Sequence, residues 1–244
     1  MRVIITESFE ESSKIAGGMV LNVIIQKPDA RLGLATGDSV RGIYDYLIKK
    51  NKAGEVDFSK VCTINLDEYV GLGAEHPQSY RYFMDCYLFD HINIEKKNTI
   101  VPCGIGNMDE NIKEFRRQIE QAPIDIQLLG VGADGHIGFN EPGPALYCGA
   151  YIEELSDSTI EANSRFFPCC DDVPRRAVTM GLGDIMKARR IILIATGERK
   201  AEAISGVIMN DTVNTDNPAT MIKMHPDATV IIDKQLADII GYEY

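Results

Sequence analysis

Short runs of β-branched and aliphatic residues alternate along the chain with segments whose apolar positions recur every three or four residues. Val3 to Thr6 reads as a first strand, and Ser8-Phe-Glu-Glu11 then matches the Ser-x-x-Glu capping box that opens a helix. In that helix Ile15, Ala16, Met19, Val20, Val23 and Ile24 fall on one face. Arg31 to Ala35 predicts a second strand. After the turn Thr36-Gly37-Asp38-Ser39, the spacing of Val40, Ile43, Tyr44, Leu47 and Ile48 predicts a second helix. Further strands are expected at Val61 to Leu66, Ile126 to Val131, Ile191 to Ala195 and Thr229 to Ile232. Between the third and fourth of these six strands, Tyr80, Phe83, Met84, Tyr87 and Leu88 suggest one helix, and Ile112, Phe115 and Ile119 another. The alternation predicts an α/β fold: a three-layer, Rossmann-like arrangement in which a mostly parallel open sheet carries helices on both faces. No repeat, low-complexity segment or linker-like shift divides the chain, so residues 1–244 are read as one domain.

In an open α/β sheet, ligands sit beyond the carboxyl ends of the strands, near a reversal of strand order. That rule selects four loops: Thr36 to Ser39, Asp67-Glu68-Tyr69, Ala133 to Pro142, and Gly197 to Lys200. Composition narrows what they can bind. With 25 basic and 36 acidic residues the formal charge is −11, and no basic patch is visible for nucleic acid or an anionic membrane. An anionic ligand must therefore be held by a few local groups. No apolar run reaches the roughly 18 to 20 residues of a membrane span, and Met1 leads straight into a strand-like segment, so a cytoplasmic location is expected. The six cysteines are scattered without zinc-site spacing, as expected of reduced structural thiols.

The densest chemistry lies in Gly130-Val-Gly-Ala-Asp-Gly-His-Ile-Gly-Phe-Asn-Glu-Pro142. Its Gly-x-Gly-x-x-Gly spacing formally matches the dinucleotide fingerprint. That fingerprint needs a helix opening at the third glycine, where glycines and a proline follow instead. Asp134, His136 and Glu141 offer O, N and O donors for a metal, yet no second histidine is near in sequence. The remaining reading is an imidazole flanked by carboxylates that moves protons. For an isolated Asp-Gly-His the simpler alternative is an Asx turn and local capping. The other three loops add to the acid-base reading. Asp67 and Glu68 follow a strand, Thr36 to Ser39 offers hydroxyls and backbone N–H groups at a helix start, and Arg165 and Lys200 supply positive charge.

Together these stretches resemble the glucosamine-6-phosphate deaminase family. The matching segments are LGLATG (Leu32 to Gly37), INLDEYVGL (Ile64 to Leu72), HPQSY (His76 to Tyr80), GVGADGHIGFNEPG (Gly130 to Gly143), ANSRFF (Ala162 to Phe167) and VTMGLGDIM (Val178 to Met186). The resemblance implies conversion of glucosamine 6-phosphate and water to fructose 6-phosphate and ammonia, with no cofactor and no catalytic metal. It implies Asp67 as the base that moves a proton between C2 and C1, and His136 as the ring-opening acid-base group, with Asp134 and Glu141 completing its relay. Thr36, Gly37, Ser39, Arg165 and Lys200 match phosphate-binding positions. The implied partner is a small amino sugar phosphate, bound by a monomer or small homo-oligomer. A galactosamine-6-phosphate deaminase, a 6-phosphogluconolactonase-like hydrolase and a non-catalytic sugar-phosphate sensor remain as alternatives.

Two positions depart from the family pattern. Its phosphate loop usually carries a small residue, then Ser or Thr, then Pro, whereas this chain reads Asp38-Ser39-Val40. Asp38 is expected to turn from the phosphate and cap the helix that begins near Ser39. Where longer, allosterically activated members are basic, Tyr151, Glu153 and Glu154 are neutral or acidic.

Overall fold

The computed structural model describes residues 1–244. Ten strands and eight α-helices follow in the order β1 (Arg2–Thr6), α1 (Phe9–Gln26), β2 (Arg31–Leu34), α2 (Asp38–Lys52), β3 (Cys62–Asn65), β4 (Asp67–Tyr69), α3 (Tyr80–Tyr87), β5 (Thr99–Ile100), α4 (Met108–Glu120), β6 (Ile126–Leu129), β7 (Tyr151–Glu154), α5 (Asp157–Ser164), β8 (Arg176–Thr179), α6 (Leu182–Ile185), β9 (Ile191–Ala195), α7 (Ala201–Ile208), β10 (Ala228–Asp233) and α8 (Lys234–Ile240). The six predicted strands are β1, β2, β3, β6, β9 and β10. They join short β5 in a seven-stranded sheet of order β1-β10-β9-β6-β2-β3-β5. Every pairing in it is parallel, as strands buried between layers of helices require. No helix is long and apolar enough to cross a membrane.

Helix starts follow local chemistry. Ser8 accepts a hydrogen bond from Glu11 N–H at 3.2 Å, and the Glu11 carboxylate accepts the N–H of Glu7, one residue before the cap. Ser79, Asn107, Ser156 and Asp233 cap α3, α4, α5 and α8 in the same way. At α2 the expectation fails. Gly37 is the N-cap, with φ +99° and no side-chain cap, and Asp38 is the first helical residue.

A second sheet was not foreseen. β4, β8 and β7 form an antiparallel trio in which Asp67 and Tyr151 both stand opposite Thr179. These strands have three or four residues each, too few to establish an apolar period. A core of 50 buried residues fills the large sheet's faces, and a satellite of Tyr69, Phe139, Leu155, Ile160, Val173 and Ala177 underlies the small one.

The strand order fixes where a ligand can sit. From β2 the chain builds outward through β3 and β5, then returns to place β6 on β2's other side and builds the opposite way through β9 and β10. The reversal lies between β2 and β6, and the crevice opens beyond their carboxyl ends. Close packing supports this junction: a Cβ at Gly33 on β2 would lie 2.0 Å from Oε1 of buried Gln127 on β6. Gly33→Ala is therefore expected to destabilise by about 1–3 kcal/mol, the cost of overpacking a filled core. Chemical denaturation of Gly33→Ala with and without Gln127→Ala checks the cause, because shortening Gln127 should recover part of the loss.

Candidate active site

Beyond the adjacent strands β9, β6, β2 and β3 opens a cleft of about 1310 Å³. On one side, Thr36 and Gly37 lead into α2, whose first-turn N–H groups lack partners within the helix and point toward the cleft with Ser39. The loop after β6 passes close by: a Cβ at Gly130 would sit 4.0 Å from that of Ser39. Beyond β9, Thr196-Gly197-Glu198 repeats the turn, with Gly197 at φ +86°, and presents Lys200. Burial lowers the Lys200 ammonium below its ordinary value, opposed by Asp134 and aided by Arg165 and Arg199. Arg165, just past the end of α5, completes a cationic corner.

The opposite side is acidic and dry. Asp67 is 6% exposed and accepts no hydrogen bond from the protein; burial, with Glu68 alongside, pushes its carboxyl up to about 8. The Glu68 side chain accepts the N–H groups of Tyr69, Tyr80 and Arg81 at 2.9, 2.9 and 3.0 Å, fastening the start of α3. Burial raises Glu68 to about 7 against those three bonds. Neighbouring carboxylates thus have different work: Glu68 is consumed by backbone, while Asp67 is left free for a ligand. Tyr69, Tyr80 and Phe139 pack beside them, with Tyr80 and Phe139 stacked at 5.9 Å.

His136 stands between these two sides. Its Nδ1 lies 2.8 Å from Asp134 Oδ1 and 3.7 Å from Glu141 Oε2. The approach to Asp134 is too bent for a straight N–H···O bond and acts as an electrostatic contact. Burial would raise the Asp134 carboxyl, but the imidazole overrides it and holds it at about 2. Asp134 also accepts the His136 backbone N–H at 3.2 Å, so the Asx turn and the contact with the imidazole coexist. With both carboxylates on Nδ1, Nε2 is the ring nitrogen left for exchange with a ligand. Glu141 is 8% exposed and accepts from Ser156 Oγ at 3.2 Å. The loop passes Asp67 at Gly138, where a φ of +60° and a would-be Cβ only 3.2 Å from Thr179 Oγ1 favour glycine. Asn140 pins that loop through the carbonyls of Ile137 and Met180, at 2.8 and 2.9 Å.

A family model described as glucosamine-6-phosphate isomerases/6-phosphogluconolactonase matches residues 18–231. The chain belongs to this family. It is 52% identical over 242 residues to a glucosamine-6-phosphate deaminase of Clostridium perfringens, covering 98% of this chain and 100% of that one. It is 50% identical over 245 residues to one of Thermoanaerobacter pseudethanolicus, covering 100% and 96%. A solved monomeric glucosamine-6-phosphate deaminase superposes with TM-score 0.95 at 37% identity, covering 98% of this chain and all of the other. A 6-phosphogluconolactonase of Thermotoga maritima shares the fold, with TM-score 0.75 at 15% identity over 96% of this chain and 99% of its own.

Within this isomerase/lactonase frame, Thr36, Gly37, Ser39, Asp67, His136, Arg165 and Lys200 all line one cleft, and Asp134 and Glu141 stand directly behind His136. The dinucleotide spacing lacks its helix: the residues after Gly135 form a tight turn bridging Ile137 and Asn140, and the next α-helix is α5. One donor atom from each of Asp134, His136 and Glu141 falls within 4.8 Å of the others, so this O, N, O trio could also hold a divalent cation. Four residues that shape the site carry no role in the sequence motifs: Asn140, Thr179 and Arg199, which lie within them, and Ser156, which lies outside. Thr179 accepts the Phe139 N–H at 3.1 Å, a contact that only the unforeseen pairing of β4 with β8 brings about.

The exposed Asp38 side chain bonds to Arg165 at 3.2 Å instead of capping α2. The positive φ needed at the cap favours glycine, which moves Asp38 into the first turn.

Asp67 carries a stability consequence. Unfolded, it titrates near its ordinary 3.8; folded, near 8, so the native state binds the extra proton between these values. Stability falls as pH rises through that window and levels off above it. Asp67→Asn removes the burden, so its Tm advantage over wild type should grow from pH 5 to pH 8, at about 2–4 °C per kcal/mol for a chain of this size. A constant difference across that range would show that Asp67 ionises normally.

Proposed function

We propose that the chain converts glucosamine 6-phosphate and water to fructose 6-phosphate and ammonia. One observation carries the reading: a buried carboxylate free of protein hydrogen bonds shares a cleft with a carboxylate-backed histidine and a cationic helix start. Aldose-to-ketose chemistry needs these three parts. The phosphate binds Ser39, Arg165, Lys200 and the backbone N–H groups after Thr36 and Gly37, which fixes the sugar for transfer. His136 gives a proton to the ring oxygen as O1–H loses one, opening the pyranose to the aldehyde. Asp134 and Glu141 orient the ring and stabilise its charged form. Asp67 then takes the C2 proton. The C2–H electrons form the C1=C2 bond of the enolamine as the C1=O π electrons pass to O1, which His136 protonates. The Asp67 carboxyl returns the proton to C1 as the nitrogen lone pair forms C2=N, leaving a protonated imine at C2. Water adds there and ammonia departs.

A lactonase has no step that needs a carboxylate able to shuttle a proton between neighbouring carbons, which favours the deaminase within the family. The monomeric state of the solved relative supports a monomer here. Six free cysteines, five of them exposed, fit the reducing cytoplasm.

Glucosamine 6-phosphate and galactosamine 6-phosphate, supplied separately, test the reading through ammonia and ketose phosphate release. The gluco epimer should turn over and keep doing so after exhaustive chelation, since every step is a proton transfer or a hydration. Activity abolished by chelator and restored by one divalent ion would transfer the Asp134-His136-Glu141 trio to metal binding. The pH dependence provides a further check. Asp67 must be ionised to act, so kcat/KM should rise through about pH 8 in the free enzyme. A limb near the ordinary carboxylate range would remove Asp67 as the base.

A further inference from the structure

One anion stands within the cationic corner. Asp38 is the first residue of α2, between Gly37 and Ser39, and its Oδ2 accepts from Arg165 Nη2 at 3.2 Å. Its Oδ1 lies 3.7 Å from Arg41 Nη1, and Arg41 rests on the Tyr87 ring at 4.4 Å. Asp38, Arg41 and Arg165 all line the cleft. The Asp38 and Arg165 side chains are 57% and 58% exposed, so their ion pair is weak and quickly exchanged. Glu198 holds the matching first position after Gly197 and forms no ion pair. An acid in such a turn is therefore not enough; Asp38 is paired because Arg165 reaches it.

We propose that Asp38 is a built-in competitor of the substrate phosphate for Arg165, a positioning residue that acts through that guanidinium. This rests on the phosphate reading above. In the open cleft Asp38 holds Arg165; arriving phosphate takes the guanidinium, and Asp38 retakes it as the ketose phosphate leaves. The exchange is easy for Asp38, because Arg41 stays within reach and the start of α2 favours a negative charge. It also has a kinetic use. Substrate and product carry the same phosphate, so any gain in phosphate affinity tightens both and slows release.

The test measures KM for glucosamine 6-phosphate and the inhibition constant of inorganic phosphate. It uses wild type, Asp38→Asn, Arg165→Gln and the double variant, with Asp38→Ser as a second probe. Freeing Arg165 in Asp38→Asn should lower both constants together by about two- to fivefold, the scale of an exposed ion pair, with kcat unchanged or lower. In the Arg165→Gln background the same substitution should leave both constants nearly unchanged. Unaltered constants in both Asp38→Asn and Asp38→Ser would overturn the proposal. So would an equal fall in both backgrounds, because the carboxylate would then act on phosphate directly. A separate control addresses the site itself: if inorganic phosphate does not compete with substrate in wild type and Lys200→Met leaves KM unchanged, the phosphate reading fails and takes the Asp38 proposal with it.

Discussion

The reversal of strand order between β2 and β6 is the constraint on which the rest depends. The connections leaving the two strands lead to opposite sides of the sheet, from β2 to β3 and from β6 on to β9, so neither covers the strand ends and a crevice is left between them. Where the two strands pair, Gly33 packs closely against the buried Gln127 side chain. Each chemical part then comes from a different strand of the four around the reversal. β2 gives the helix start with Ser39, β3 continues into Asp67, β6 into His136 and its carboxylates, and β9 into Lys200. Positive charge gathers on one side of the crevice and buried carboxylates on the other. A chain of net charge −11 can thereby hold an anion without any basic surface.

The small antiparallel sheet sets the surroundings of Asp67 in that crevice. Asp67 and Tyr151 flank Thr179, and Thr179 holds the Phe139 N–H of the glycine-rich loop. Through this tie the loop lies beside Asp67, which accepts no hydrogen bond from the protein. Burial without compensation lifts its carboxyl, which costs stability and, in the proposed reaction, suits it to act as a base near neutral pH. Glu68, next in sequence and also buried, shows the alternative: bonded by three N–H groups, it anchors α3 and is unavailable for chemistry.

Much of this was legible in the sequence where a signal is local. Six of the seven strands in the large sheet fall in short aliphatic or β-branched stretches, and site residues follow strands at positions where α/β folds bind ligands. The elements held by long-range pairings were not. β4, β7 and β8 have three or four residues each and are stabilised by partners distant in sequence. Asp38 makes the same point for a single residue. N-cap preference, a local rule, assigned it to the helix start. A glycine with positive φ took the cap, and an arginine 127 positions away took the carboxylate. Asp134 shows the reverse, since its local Asx turn and its contact with the imidazole are both present.

The central claim is that Asp67 carries a proton between neighbouring carbons of the bound sugar. Turnover of glucosamine 6-phosphate in deuterium oxide tests it most directly, with the fructose 6-phosphate and residual substrate examined by NMR for wild type and Asp67→Asn. The account predicts deuterium at C1 of the wild-type ketose, and neither C1 label nor C2 exchange in Asp67→Asn while that variant still binds the substrate. Label entering C1 or C2 at the wild-type rate in Asp67→Asn would contradict it.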